Sequence, residues 1–151
     1  MQTNPANPQP VARLMLGAFR LFEQQLIHLL QADGFTDISL HHLNLLRHLN
    51  PEGMRLIDLA RDAGITKQAA GQFCQVLSNT GYVLTSPDPS DKRAKIVTYT
   101  ARGKAFLAAA YEHVHQIESN AQAYMGKERF SCLQNGLNDY INSLANNLES
   151  K

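Results

Sequence analysis

The stretch RLIDLARDAGITKQAAGQFCQVLSNTG, from Arg55 to Gly81, constrains the fold of this chain more than any other. It holds two short helical patterns separated by Gly64-Ile65-Thr66 alone. Leu56, Leu59 and Ala60 form the apolar stripe of the first, over Arg55–Ala63. Ala70, Phe73, Cys74 and Leu77 form that of the second, over Lys67–Thr80. Gly64 permits the sharp turn, because glycine reaches positive φ without a steric penalty. Thr66 suits an N-cap, its hydroxyl accepting from free N–H groups of the next turn. Two helices so closely joined must cross at a steep angle, which is the layout of a helix-turn-helix.

What flanks this unit extends the reading. Leu14, Ala18, Leu21, Phe22, Leu26 and Leu29 recur at spacings of three and four and predict a long helix over Val11–Gln31. Asp33-Gly34 ends it. Ser39 can cap a second helix, Leu40–Leu49, which Asn50-Pro51-Glu52-Gly53 breaks. After Gly81 come two β-like runs, GYVLT and IVTYT, around the charged loop PDPSDKRAK. Thr100 can cap a fifth helix, Ala101–Met125. Gly126 interrupts, and a sixth helix, Lys127–Leu148, carries Phe130, Leu133, Leu137, Ile141, Leu144 and Leu148. The expectation is a mainly α chain with a small β-hairpin wing (α+β). Residues 39–100 form a winged helix-turn-helix, residues 11–31 and 101–151 are dimerisation helices, and residues 1–10 are a loose arm. Long apolar helices at both ends need a partner, and the simplest is a second copy.

Composition narrows the classes. At 151 residues the chain can bury a core without disulfides. No run of about 18 apolar residues appears, so no membrane partner is expected. MQTNPANPQP has neither a positive n-region nor an apolar h-region, so it does not read as a signal peptide. Cys74 and Cys132 form no local pattern, and the default compartment is a reducing cytoplasm. Net charge is only +1, but it is unevenly spread. From Arg47 to Lys104 there are nine bases and five acids, a net of +4; the remainder nets −3. A basic middle between acidic ends suggests that the middle meets a polyanion.

The second helix of the pair has a polar side suited to that task. Lys67, Gln68, Gln72, Gln75, Ser78 and Asn79 lie off its buried stripe, and no acid occurs between Asp62 and Asp88. A solvated helix would more often carry Glu–Lys pairs. Glutamine can bond bidentately to adenine in the major groove. Ala69 and Gly71 keep the first turns slim enough for the backbone to approach a groove wall. Lys67 and the free N–H groups beside it suit a phosphate. The ordinary alternative is a plain polar face.

The segment from Gly53 to Phe106 resembles the DNA-binding core of the MarR (multiple antibiotic resistance regulator) family of bacterial transcription regulators. The marks that carry the resemblance are Asp58-Leu59-Ala60, Gly64-Ile65-Thr66, Leu77, Gly81-Tyr82-Val83, Asp91-x-Arg93 and Thr100-x-x-Gly103. The flanking helices match the family's layout in length and position rather than by motif. The resemblance implies a homodimer, joined through the first, fifth and sixth helices, that grips a pseudo-palindromic operator in double-stranded DNA. The helix Lys67–Thr80 would enter the major groove, with half-sites about 34 Å apart. The wing would reach the flanking minor groove, with Arg93 as its finger, since a narrow groove is strongly negative. Asp91 would orient Arg93 or bond the turn's backbone. Lys92 and Lys95 would contact phosphates, adding affinity and salt dependence but little specificity. The family often has a base where Gln72 stands and an acid near Ser78 and Asn79, so the contacts of those three are open.

The resemblance further implies a repressor released by a small phenolic or carboxylate effector, in a pocket between the first, second and fifth helices. His28, His42, Arg47 and Tyr111 are the candidate lining. His42 falls within the arc of Leu46 and Leu49, where a satisfied core histidine is the ordinary reading. None of the six histidines makes a local metal pair; His113 and His115 project roughly 200° apart on a helix. The resemblance also implies a zinc-sensing variant, in which His42 with Glu112 or His113 could be assembled in three dimensions, but no metal or cofactor is expected. Cys74 lies on a buried stripe, where an inert thiol is the norm, and Cys132 is the more accessible of the two. No nucleophile elbow, P-loop or metal signature points to an enzyme. The competing reading is a winged-helix adaptor that binds protein and not DNA.

Overall fold

The computed structural model describes residues 9–91 and 93–149. Its elements are α1 (Val11–Ala32), α2 (Leu40–Leu46), β1 (Met54–Arg55), α3 (Leu56–Asp62), α4 (Lys67–Asn79), β2 (Val83–Pro87), β3 (Lys95–Tyr99), α5 (Ala101–Met125) and α6 (Lys127–Glu149). The expected six helices are present and the strand pair forms a hairpin. The hairpin strands and several helix ends shift by a residue or two, and two details differ further from expectation. The segment Arg47–Leu49 leaves α2 as a turn, with the Leu49 N–H donating to the Leu46 carbonyl at 3.2 Å. Met54–Arg55 joins the sheet as a third strand, β1, so Arg55 does not open α3. Two residues are too few to show a period-two pattern, so nothing local marked them as a strand. The sheet runs β1–β3–β2 and is antiparallel throughout, with Arg55 opposite Ile96, Val83 opposite Tyr99, and Pro87 opposite Lys95.

The chain divides into two compact units, one ending at His113 and the other beginning at Val114. α5 runs through the boundary. The first unit takes in α1 and the opening turns of α5 along with the winged core. Its interior is built from Leu26 and Leu30 of α1, Leu43, Leu45 and Leu46 of α2, Leu56, Leu59 and Ala60 of α3, and Ala70, Cys74 and Leu77 of α4. Val83, Val97, Tyr99 and Phe106 close it. Phe35, Tyr82 and Phe106 form an aromatic triangle, with centroids 5.4 to 6.2 Å apart. Tilted and edge-to-face pairs of this kind bring the positive edge of one ring to the negative face of the next.

Two close fits hold the wing to the start of α5. The Thr100 hydroxyl accepts from the Gly103 N–H at 3.0 Å, capping α5, and donates to the Gly81 carbonyl at 2.5 Å. Gly103 lies against the Tyr82 backbone so closely that a Cβ there would stand 2.0 Å from the Tyr82 carbonyl oxygen. The Tyr99 hydroxyl donates to the Leu46 carbonyl at 2.8 Å, tying β3 to the end of α2.

The second unit holds the rest of α5 and all of α6. Ile117 is its one buried apolar side chain among the described residues. Leu133, Ile141, Leu144 and Leu148 are exposed along α6. Among the described residues no helix is long and apolar enough to cross a membrane.

Candidate nucleic-acid interface

α4 is launched by the turn that the sequence marked. The Ile65 N–H donates to the Ala60 carbonyl and the Gly64 N–H to the Arg61 carbonyl, both at 3.0 Å, with Gly64 at φ +67°. That pair of bonds is the Schellman close of α3. Thr66 then caps α4, its hydroxyl accepting from the Ala69 N–H at 3.1 Å. The buried stripe faces inward, and Lys67, Gln68, Gln72 and Gln75 are exposed on the other side. Ala69 and Gly71 are half-buried. The Gln75 amide donates to Asn79 at 3.0 Å, which holds it flat along the helix. Packing does not demand glycine at position 71, since a Cβ would meet only Leu56, at 4.0 Å. A mid-helix glycine costs stability, and this one has room for a methyl group.

The wing loop is ordered by its acids. The buried Asp88 accepts from the Ser90 N–H at 2.8 Å and the Ser90 hydroxyl at 2.7 Å, and from Arg55 Nε at 2.6 Å. Asp91 accepts from the Arg93 N–H at 3.0 Å, and the Ala94 N–H closes back on the Asp91 carbonyl at 2.8 Å. The bonds from Ser90, then Arg55, hold the Asp88 carboxyl down at about 2, below its ordinary 3.8. A depressed acid stabilises the fold fully above its ordinary value and loses that contribution as pH falls through the lower one. The wing anchor is therefore intact at neutral pH and loosens between about pH 4 and pH 2. Lys92 lies outside the described residues.

Ion pairing sorts the basic middle into two sets. Arg47 pairs with Glu23, Arg55 with Asp88, Arg61 with Asp58 and Asp62, and Arg102 with Asp37. Arg102 also lies 4.4 Å over the Tyr82 ring, and Tyr82 donates to the same Asp37. Lys67, Arg93 and Lys95 pair with no acid among the described residues, and neither does Lys104, which stands apart on α5. The first three line one open depression of about 470 Å³ together with Leu56 and Gln68. The first turn of α4 and the wing thus meet around a common depression whose described lining holds three cations and no acid.

The proposed effector residues are placed differently. His42 closes a capping box with Ser39, its Nδ1 accepting from the Ser39 N–H at 3.3 Å. Desolvation, then the neighbouring His41, lower the His42 pKa against opposing contributions from Asp37. His41 stacks on Phe73 at 5.9 Å, and His42 meets the same ring edge-on. Arg47 lies 4.9 Å from the centre of the Phe19 ring while bound to Glu23. His28 and Tyr111 are exposed. Among the described residues no hydrogen bond or ring contact joins any two of His28, His42, Arg47 and Tyr111. His113 Nε2 pairs with Asp33 at 2.7 Å. No cluster of three or more His, Cys, Asp or Glu among the described residues could hold a metal. Cys74 is buried, which pushes its thiol up to about 11, and Cys132 is exposed.

Sequence reasoning missed Asp88, Ser90 and Arg55. The first two were legible, because an Asp two residues before a Ser is a side-chain turn signal. Arg55 was not, because its partner lies 33 positions away.

Solved structures of similar fold fit this geometry. The chain superposes on the transcriptional repressor CouR bound to a 23-mer DNA duplex, with a TM-score of 0.70 at 21% identity over 87% of this chain and 92% of that one. Wild-type MarR from E. coli gives a TM-score of 0.74 at 18% identity, over 89% and 98%. NadR in complex with 4-hydroxyphenylacetate gives 0.65 at 19% identity, over 93% and 97%. No family model and no curated protein sequence matches the chain. The chain has the winged-helix fold of the MarR-type transcription regulators.

Proposed function

We propose that this chain is a transcription regulator that binds double-stranded DNA specifically as a homodimer, and represses until a small molecule releases it. The observation that carries the reading is the convergence of Lys67, Arg93 and Lys95, with no acidic partner among the described residues, beside the glutamine face of a capped helix. The arginines nearby are spent on internal pairs, so the bases left over are the ones a phosphate backbone can use. Gly71 supports the same reading, since a slim helix can sit deeper in a groove. α4 takes the major groove, and Arg93 the minor groove beside it. The homodimer joins through α1, α5 and α6; α1 and α6 carry bare apolar stripes, and α5 exposes Tyr111 and Tyr124. The repressor role and effector release rest on likeness to CouR, a repressor, and to NadR, which holds a phenolic acid.

The test is fluorescence anisotropy on the DNA upstream of the chain's own gene, at two salt concentrations, with Arg93→Ala alongside. Wild type is expected to bind specifically and to weaken steeply with salt. The variant should lose about 1–3 kcal/mol. Binding that is absent, or indifferent to Arg93 on every fragment, would overturn the reading in favour of a protein-binding adaptor.

A further inference from the structure

Every short helix of the winged core but one begins with a side-chain cap. Ser39 caps α2 and Thr66 caps α4. The N-cap position of α3 is held by Arg55, whose side chain makes no cap bond. Arginine is a poor choice there, where Ser, Thr, Asp and Asn are preferred because a short oxygen can reach the free N–H groups. The Arg55 side chain points away from α3 and into the wing. Its Nε donates to Asp88 at 2.6 Å and its NH2 group to the Ser90 hydroxyl at 3.1 Å.

We propose that Arg55 is a positioning residue for the wing: through Asp88 and Ser90 it sets where Arg93 is presented. The proposal rests on the reading that the wing meets DNA. The backbone of Arg55 is fixed, since β1 pairs it with Ile96 of β3. Its guanidinium is therefore a strut with one end in the sheet and the other in the loop. Asp88, which is only 5% exposed, receives it. The Asp88 N–H donates to the Ala94 carbonyl at 3.0 Å, and the Asp91 N–H to the Asp88 carbonyl at 3.3 Å. Asp91 in turn fixes the Arg93 N–H. Removing Arg55 leaves a buried carboxylate without its counter-charge, and a loop so strained relaxes by turning the carboxylate to water. The loop would then carry Arg93 with it.

A direct phosphate contact by Arg55 is the rival, since its side chain is 46% exposed. A double-mutant cycle separates the two. Arg55→Met keeps length and loses the charge. If Arg55 acts through the wing, Arg55→Met should weaken DNA binding about tenfold in the wild-type background and less than about twofold in Arg93→Ala. Additive losses would overturn the proposal in favour of direct contact. Amide hydrogen exchange of the free protein gives an independent readout. The Arg93 and Ala94 amides should exchange about tenfold faster in Arg55→Met, with the α4 amides unchanged. Unchanged wing exchange sinks the strut whatever the DNA result. If wild type binds no DNA while the wing amides still loosen, the functional reading fails and the strut stands as architecture alone.

Discussion

The winged core and the segment beyond Val114 spend their apolar residues in opposite ways. From Leu43 to Phe106 nearly every expected inward side chain is buried, and among the described residues no buried side-chain polar atom lacks a partner. Beyond Val114 Ile117 alone is buried among the described residues, although α6 repeats Leu133, Leu137, Ile141, Leu144 and Leu148 as regularly as any core helix. The same periodicity thus means two things. In the core it encodes packing within one chain; in α6 it encodes a surface that a single chain leaves bare. The N-terminal half of α1 behaves like α6, with Leu14, Leu16 and Leu21 exposed, while its C-terminal half, at Leu26 and Leu30, belongs to the core.

The largest effect should come from attacking the bare stripe. Ile141→Asp with Leu144→Asp puts two charges where a partner's apolar face is expected. Light scattering should report half the wild-type mass. Operator binding should fall by about 100-fold or more, because two half-sites are no longer held by one particle. The melting of the winged core should persist. An unchanged mass would break the comparison, because the stripe would then have no covering copy.

Next in size is Gly103→Ala, within the core. Its Cβ would meet backbone, the Tyr82 carbonyl oxygen, rather than a side chain that could swing aside. Overpacking of this kind costs about 3 kcal/mol. Thermal unfolding followed by circular dichroism should show a melting temperature lower by roughly 10 °C. A shift of only a degree or two would mean that α5 can slide off the Tyr82 backbone without penalty.

How much of this was legible beforehand follows from the range of the interactions involved. The caps at Ser39, Thr66 and Thr100, the turn at Gly64 and the stripe of α3 depend on residues three or four apart, and each could be read off the sequence. The cationic set at the wing was half legible. Charge counting found nine bases in the middle of the chain, but not that Arg47, Arg55, Arg61 and Arg102 are occupied. Those pairs join positions as far apart as Arg102 and Asp37, and no local pattern announces them. The strand β1 escaped for the opposite reason, being too short to have a pattern. The effector pocket was inferred from likeness alone. In this chain His42 is engaged as a cap and Arg47 with Glu23 and Phe19.

The smallest effect is the one that sharpens the comparison most. Gly136, in the middle of α6, is a helix glycine like Gly103, but a Cβ there would meet nothing within 4 Å. Removing a glycine from a helix interior lowers the entropy of the unfolded chain and should stabilise by about 0.5–1 kcal/mol. Gly136→Ala should therefore raise the melting temperature by a few degrees at most, with mass and DNA affinity unchanged. One substitution, made at two helix glycines, then has opposite signs in the two regions. Should Gly136→Ala instead lower the melting temperature and the particle mass together, the space beside Gly136 is filled in the assembly. The bare face of α6 would then extend around to the side that carries Gly136, and the partner's backbone would approach there as closely as Tyr82 approaches Gly103.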